Sequence, residues 1–123
     1  MNYWILAVFL CIMPVVHDQE PVLEALEAGK VGQFGSYFAP EVRISIFDSE
    51  STYPRNKAVS MIRNFYDAHQ IKGFRKIHEG TSRDERSSYL IGSLYSDDSR
   101  FRTFIHYKKE GDLPEISEVR IER

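Results

Sequence analysis

Four alternating segments follow one another from residue 74 to the end of the chain, and they constrain the fold more than any other feature. Apolar and polar residues alternate within 74–80, 87–95, 100–109 and 115–123, which is the period of a half-buried strand. The intervening segments TSRDER, SDDS and EGDLP are rich in turn-forming residues. Because loops this short join antiparallel neighbours, we predict an antiparallel meander here.

Helical periodicity dominates the region that precedes this meander. Two short helices joined at AGK fit residues 20–42 better than one helix, because glycine is a poor helix former and a good C-cap; Pro40 is expected to close the second helix. Residues 42–47 alternate as one strand, and the turn-rich stretch DSESTYPR separates them from an amphipathic helix over 54–69. This order predicts an α+β fold in which the helices cover one face of a curved, mainly antiparallel sheet.

The N-terminus carries an unbroken apolar run, WILAVFLCIMPVV at 4–16, before charge resumes at Asp18. The run is too short to span a bilayer and has the length of a signal-peptide core. We therefore predict a signal peptide over 1–17 and an exported domain over 18–123, periplasmic or secreted, with no membrane attachment after leader removal. A buried N-terminal element or a retained anchor is the alternative. Cys11 is the only cysteine, so leader removal excludes disulfides and thiol catalysis.

The net charge of −2 is too balanced to favour binding to nucleic acid, whose phosphates require a concentrated basic surface. Basic residues are nevertheless dense between 55 and 76, where Asp67 is the only acidic residue. These basic residues are Arg55, Lys57, Arg63, Lys72, Arg75 and Lys76. Their density allows an anionic ligand, although a solvated helix face with charged strand ends is the simpler interpretation.

The order of these elements, together with several short motifs, resembles the nuclear transport factor 2-like superfamily of cone-shaped α+β proteins. More narrowly, it resembles an exported bacterial family of that superfamily, a domain of unknown function. The motifs are EALEAGKVGQFGSYF at 24–38, TYPRNKAVSMIRNFY at 52–66, HEGTS at 78–82, YLIGSL at 89–94, and RFRTFIHYKK at 100–109 followed by VRIER. The resemblance implies the cone fold and export, and it brings no catalytic residue with it.

Aromatic residues and two histidines are expected to occupy the interior of such a cone. The predicted lining consists of Phe34, Phe38, Phe65, His69, Phe74 and His78. His69 ends the apolar stripe of the 54–69 helix, and simple alternation puts His78 on the same strand face as Phe74. A packed core with satisfied histidines is the simpler interpretation, and a pocket for a small apolar ligand is the alternative.

Catalytic chemistry has little support in the sequence. The resemblance implies that related enzymes use a carboxylate or a His/Asp pair inside the cone, but Asp48, Asp67 and Glu79 are all expected at the surface. The histidines lack metal-ligand spacing, and no nucleotide-binding glycine motif occurs, so we predict no catalytic residue, metal or cofactor. The alternative is a small isomerase or cyclase that uses His78 or His69 as its acid or base.

The register of the hairpin around SDDS assigns the two faces of its strands. If Asp97 and Asp98 form the tip, one face collects Leu90, Leu94, Phe101, Ile105 and Tyr107, with the small pair Gly92 and Thr103 between them. This is the more uniformly apolar of the two faces, and we predict that it lies against the helices. The outer face then carries Tyr89, Ile91, Arg102, Phe104 and His106. Tyr89, Ile91 and Phe104 lie side by side on this face and form an apolar patch larger than a monomer usually exposes. A second copy is therefore expected to cover it. The sequence therefore favours an exported, non-catalytic and dimeric binding or interaction module.

Overall fold

The computed structural model describes residues 21–84, 86–110 and 113–123, except for the side chain of Glu110. The predicted leader over 1–17 and Cys11 lie outside the described residues. Within the described residues, three helices accompany one six-stranded sheet. The helices are α1 (Pro21–Glu27), α2 (Val31–Gly35) and α3 (Arg55–His69). The strands are β1 (Phe38–Ile46), β2 (Ser49–Pro54), β3 (Gly73–Thr81), β4 (Ser87–Tyr95), β5 (Arg100–Glu110) and β6 (Leu113–Glu122).

The sheet has the strand order β2-β1-β6-β5-β4-β3. Adjacent strands are antiparallel, except that β1 and β6 pair in parallel. The chain crosses to the far edge at β3, and the meander from β3 to β6 then brings it back to β1. The helices pack on one face of this curved sheet, so the predicted α+β architecture is confirmed. The face that packs against the helices is called the inner face below, and the opposite one the outer face.

The core lies between the helices and the inner face. Three helical side chains that are nearly inaccessible, Leu26, Phe34 and Ile62, meet strand residues such as Leu90 and Ile105 in one contiguous cluster. Burial alternates strictly along β4, where every second residue from Ser88 to Leu94 is buried. This alternation is the two-residue period that the sequence pattern predicts.

The predicted helices form, but the second one ends earlier than Pro40. It stops at Gly35, and the Ser36 hydroxyl donates a hydrogen bond to the Gln33 carbonyl at 2.6 Å. The backbone N–H of Ile116 then binds the carbonyl of Tyr37, so the chain enters the parallel ladder with β6 at Phe38. Pro40 lies in the irregular part of that ladder, where its missing N–H is tolerated.

The strand β2 is absent from the sequence-based prediction, which treats these residues as a turn. Its burial pattern explains the omission, because only Tyr53 is half-buried and the other residues are exposed. An exposed edge strand has no apolar alternation to reveal it. It is held by ladder hydrogen bonds to β1 and by the ion pair between Arg43 and Glu50 at 3.1 Å.

Candidate functional site

The predicted interior aromatics Phe34, Phe38, Phe65 and Phe74 are all buried in the core cluster. The Phe34 and Phe38 rings meet edge to face, with centroids 5.1 Å apart, which is a favourable geometry for aromatic pairs. The structure therefore brings these four residues into the interior.

His69 lies at the end of α3 among three phenylalanine rings. Its ring centroid is 4.4 Å from that of Phe65, 4.9 Å from that of Phe101 and 5.9 Å from that of Phe47. The guanidinium of Arg123 lies 4.5 Å from the centre of the Phe47 ring. His69 is thus half-buried in an aromatic environment, and no carboxylate of the described residues pairs with it.

Phe47 is an interior residue that the sequence pattern misses. Alternation along residues 42–47 puts it on the same face as Arg43, which is exposed. In the structure Phe47 follows the last residue of β1 and has φ 56°, a left-handed conformation that is unusual for a bulky side chain. The turn redirects its ring toward Phe65 and Phe101. Strand periodicity cannot reveal a residue placed by a turn.

The structure places His78 outside the interior set. A bulge at Ile77 shifts the register of β3, so that Lys76 pairs with Gly92 whereas His78 pairs with Ile91 on the outer face. Its Nε2 lies 3.2 Å from the Tyr89 hydroxyl. His78 is exposed and does not share the face of Phe74, because the extra residue reverses the alternation expected from the sequence.

The residues of the predicted dimer face lie together on the outer face. Phe104 pairs with Ile91 across β4 and β5, and Tyr89 stacks on Phe104 with ring centroids 6.1 Å apart and planes 20° apart. Nδ1 of His106 is 2.8 Å from the Ser117 hydroxyl on β6. Arg102 is exposed, and the other four side chains are half-buried. No helix or strand of the described residues packs over this face.

A groove of about 940 Å³ lies where the β4–β5 hairpin meets β3. Three segments line it: the end of α1, the first half of β3 and the hairpin tip. The lining residues are Glu27, Phe74, Arg75, Lys76, Ile77, Ser93, Tyr95, Ser96, Asp97, Asp98, Ser99 and Arg100. Of the predicted pocket residues, only Phe74 contributes to it. No sequence pattern indicates this groove, although the predicted hairpin register places Arg100 opposite Tyr95, as observed.

The buried polar groups of the described residues do not form an acid–base pair. Apart from the buried tyrosines, they are the hydroxyls of Ser45, Ser88 and Thr103, and Thr103 donates to the Phe101 carbonyl at 3.0 Å. Burial raises the pKa of Tyr66 far above its usual value, so its phenol stays neutral. In the part of the chain that is described, no cluster of residues could hold a metal ion. None of the described helices is long and apolar enough to cross a membrane.

The sequence matches one protein-family model, described as a domain of unknown function (DUF4783), over residues 19–122. The chain belongs to the DUF4783 family. This match spans nearly the whole of the predicted exported domain and confirms the resemblance to a domain of unknown function. No match was found among curated proteins.

Solved structures of DUF4783 proteins share the fold. A protein from Bacteroides ovatus ATCC 8483 is 25% identical, with 85% of this chain and 93% of that chain covered and a TM-score of 0.76. A protein from Bacteroides fragilis YCH46 is also 25% identical, with 90% and 98% covered and a TM-score of 0.75. An NTF-2 like protein of unknown function from Shewanella oneidensis MR-1 shares the fold at 9% identity, with 84% and 91% covered and a TM-score of 0.61. The DUF4783 chain thus has a nuclear transport factor 2-like fold.

Proposed function

We propose that this DUF4783 protein is an exported, non-catalytic binding module that forms a homodimer through the outer face of its sheet. The observation that carries the proposal is the uncovered patch of Tyr89, Ile91 and Phe104, in which the two rings are stacked. Contiguous apolar surface of this kind marks an interaction site in soluble proteins. The neighbouring Arg102 and His106 complete the interface.

The charges around this patch fit a second copy of the same chain. A two-fold interface brings one surface against itself, so it needs both signs of charge on the same face. On β6 the guanidinium of Arg120 lies 3.1 Å from the Glu118 carboxylate, beside Phe104 and His106 in the register. Arg102 lies opposite Glu122. A rotated copy can therefore place acidic groups against basic ones.

The size of the outer face also suits a dimer. The five long strands, nine to eleven residues each and spaced about 4.8 Å apart, give a flat area of about 700 Å². Side chains that project from the sheet raise the accessible area above this value, toward the about 800 Å² that each partner buries in a typical stable interface. A dimer through this face therefore needs no additional element.

Substitution of Phe104 by aspartate should convert the dimer to a folded monomer. The substitution places a charge at the centre of the apolar patch, where the partner would have to desolvate it. Asn64→Asp is the matched control, because it adds the same charge at an exposed position on α3. Sedimentation velocity should show a dimer for the wild type and for Asn64→Asp, and a monomer for Phe104→Asp with an unchanged far-ultraviolet circular dichroism spectrum.

Two results would contradict the proposed interface. A monomeric wild type at concentrations of about 100 μM would remove the need for a partner copy, because stable homodimers associate well below that range. A Phe104→Asp protein that remains dimeric would place the interface on another surface. If Phe104→Asp unfolds, the milder substitution Tyr89→Ser decides between these outcomes, because Tyr89 lies on the same patch.

Export is the second part of the proposal, and it has a separate test. It is supported by the apolar run at 4–16 and by the family match, which begins at residue 19, just after this run. In a bacterial host, the full chain should be recovered outside the cytoplasm with a mass that lacks the leader. A variant without residues 2–17 should stay in the cytoplasm. A soluble cytoplasmic protein that retains Met1 would overturn this part.

A further inference from the structure

Three arginines surround Ser93 on the outer face, at the end of the sheet that carries the groove. Arg75 on β3 and Arg102 on β5 are the direct cross-strand neighbours of Ser93 on β4. Arg100 lies two residues further along β5, opposite Tyr95. All three arginines are exposed, and Arg75 and Arg100 line the groove. Three positive charges are therefore concentrated at one end of the sheet.

These arginines have no ion-pair partner among the described residues. The two acidic residues of the hairpin tip, Asp97 and Asp98, interact with other residues. Asp97 forms an ion pair with Lys72 at 2.7 Å, and Asp98 accepts hydrogen bonds from the hydroxyls of Ser96 and Ser99 at 3.1 and 3.2 Å. Asp98 keeps its negative charge, because hydroxyl donors do not neutralise it, but no carboxylate of the described residues lies within ion-pair distance of Arg75 or Arg100.

Glu27 is the one carboxylate of the groove lining that forms neither an ion pair nor a side-chain hydrogen bond within the described part of the chain. It belongs to α1, which contacts β3 from the inner face. Arg75 and Arg100 instead occupy outer-face register positions with Ser93 and Tyr95. A ligand that enters from the outer face therefore meets two guanidinium groups, a hydroxyl and an aromatic ring.

From this arrangement we propose that the groove binds the phosphate group of a small organic phosphate ester, held between Arg75 and Arg100. Two strand spacings and a two-residue offset put the Cα atoms of these arginines about 12 Å apart. Extended arginine side chains can close that distance on a shared anion. One guanidinium fork engages both oxygens of a carboxylate, whereas the three terminal oxygens of a phosphate ester leave an oxygen for a second fork and further acceptor sites for the Ser93 hydroxyl.

Tyr95 indicates that the ester carries a planar or apolar group. Its side chain is partly exposed, and its ring lies over Gly73, where a Cβ would approach the Tyr95 hydroxyl to 2.6 Å. The ring therefore lies against Gly73 of β3, on the face that carries the two arginines. An apolar group attached to the phosphate can pack on this ring and gain contacts that inorganic phosphate lacks. The phosphate site does not take the dimer as a premise; because both lie on the outer face, phenyl phosphate binding is measured on the Phe104→Asp variant as well as on the wild type, and it should bind both.

The test uses phenyl phosphate and inorganic phosphate as probes of the wild-type protein at low ionic strength. Phenyl phosphate should bind with a Kd below about 1 mM, with the largest amide chemical-shift changes at Arg75, Ser93 and Tyr95. Inorganic phosphate should bind more weakly and shift the same amides. Arg75→Gln and Arg100→Gln should each weaken phenyl phosphate binding by about tenfold or more, because each removes a charged hydrogen-bonding partner.

Lys108→Gln provides the matched control, since it removes one exposed positive charge at the other end of the β5 strand. It should change affinity by less than about twofold if binding is specific. Three results would overturn the site. These are an absence of saturable binding up to about 10 mM, equal losses for Lys108→Gln and Arg75→Gln, and shift changes centred away from the groove. Unchanged melting temperatures of the glutamine variants establish that the losses are not due to unfolding.

Discussion

Truncation of Phe65 to alanine should lower the free energy of unfolding by about 3 to 5 kcal/mol. The side chain is 5% exposed, and its ring centroid lies 5.2 Å from that of Phe101 and 5.9 Å from that of Phe47. Alanine removes these contacts and leaves a cavity that the rigid sheet on one side cannot close. Chemical denaturation followed by circular dichroism measures the loss.

The adjacent residue on the same helix supplies the control. Asn64 is exposed on α3, so Asn64→Ala should change stability by less than about 0.5 kcal/mol. The comparison separates loss of core packing from a change in helix propensity. A loss below about 1 kcal/mol for Phe65→Ala would contradict the placement of this ring in the core. It would also remove Phe65 from the aromatic surroundings of His69.

The hairpin of β4 and β5 shows what the sequence can predict. Its observed register pairs Tyr95 with Arg100, Gly92 with Thr103 and Tyr89 with His106, as predicted from the tip and the alternation. Two strands whose apolar faces must agree allow only one register, because a slip of one residue would bury Arg102. The local sequence pattern and the packing of the core therefore specify the same register for this hairpin.

Sequence periodicity does not predict features that interrupt a regular period. The bulge at Ile77 inserts one residue into β3, and the sequence gives no signal for it because Ile77 is apolar yet 65% exposed. It reverses the face of every later residue in that strand, which moves His78 to the outer face. The strand β2 is not predicted for a related reason, because its residues lack apolar alternation.

Of the two candidate sites, sequence periodicity predicts one and not the other. The outer-face patch around Phe104 could be predicted, because it lies on the two strands whose register the sequence specifies. The groove could not, because it combines Arg75 from an edge strand with Arg100 and with a residue of a distant helix, Glu27. Its geometry depends on how α1 and the hairpin tip approach β3. This is a tertiary relation that no local pattern encodes.

Substitution of Gly92 by alanine should destabilise the protein by about 3 kcal/mol, the upper end of the usual range for overpacked cores. Gly92 is buried on the inner face of β4, where a Cβ would overlap the Phe74 ring and the Arg75 carbonyl oxygen. The ring could turn aside, but the carbonyl belongs to the adjacent strand of the ladder. Combining Gly92→Ala with Phe74→Leu should therefore not restore stability.

Gly32→Ala is the control that separates steric overlap from the general effect of replacing a glycine. A Cβ at Gly32, on the exposed side of α2, would lie 3.6 Å from the Arg63 guanidinium, an ordinary contact. Alanine there should raise stability by about 0.5 to 1 kcal/mol, because it favours the helix. If Gly92→Ala left stability unchanged or raised it as well, β3 and β4 could move apart without cost. The close approach of Phe74 to Gly92 would then not explain why a glycine lies between Leu90 and Leu94 on the buried face of β4.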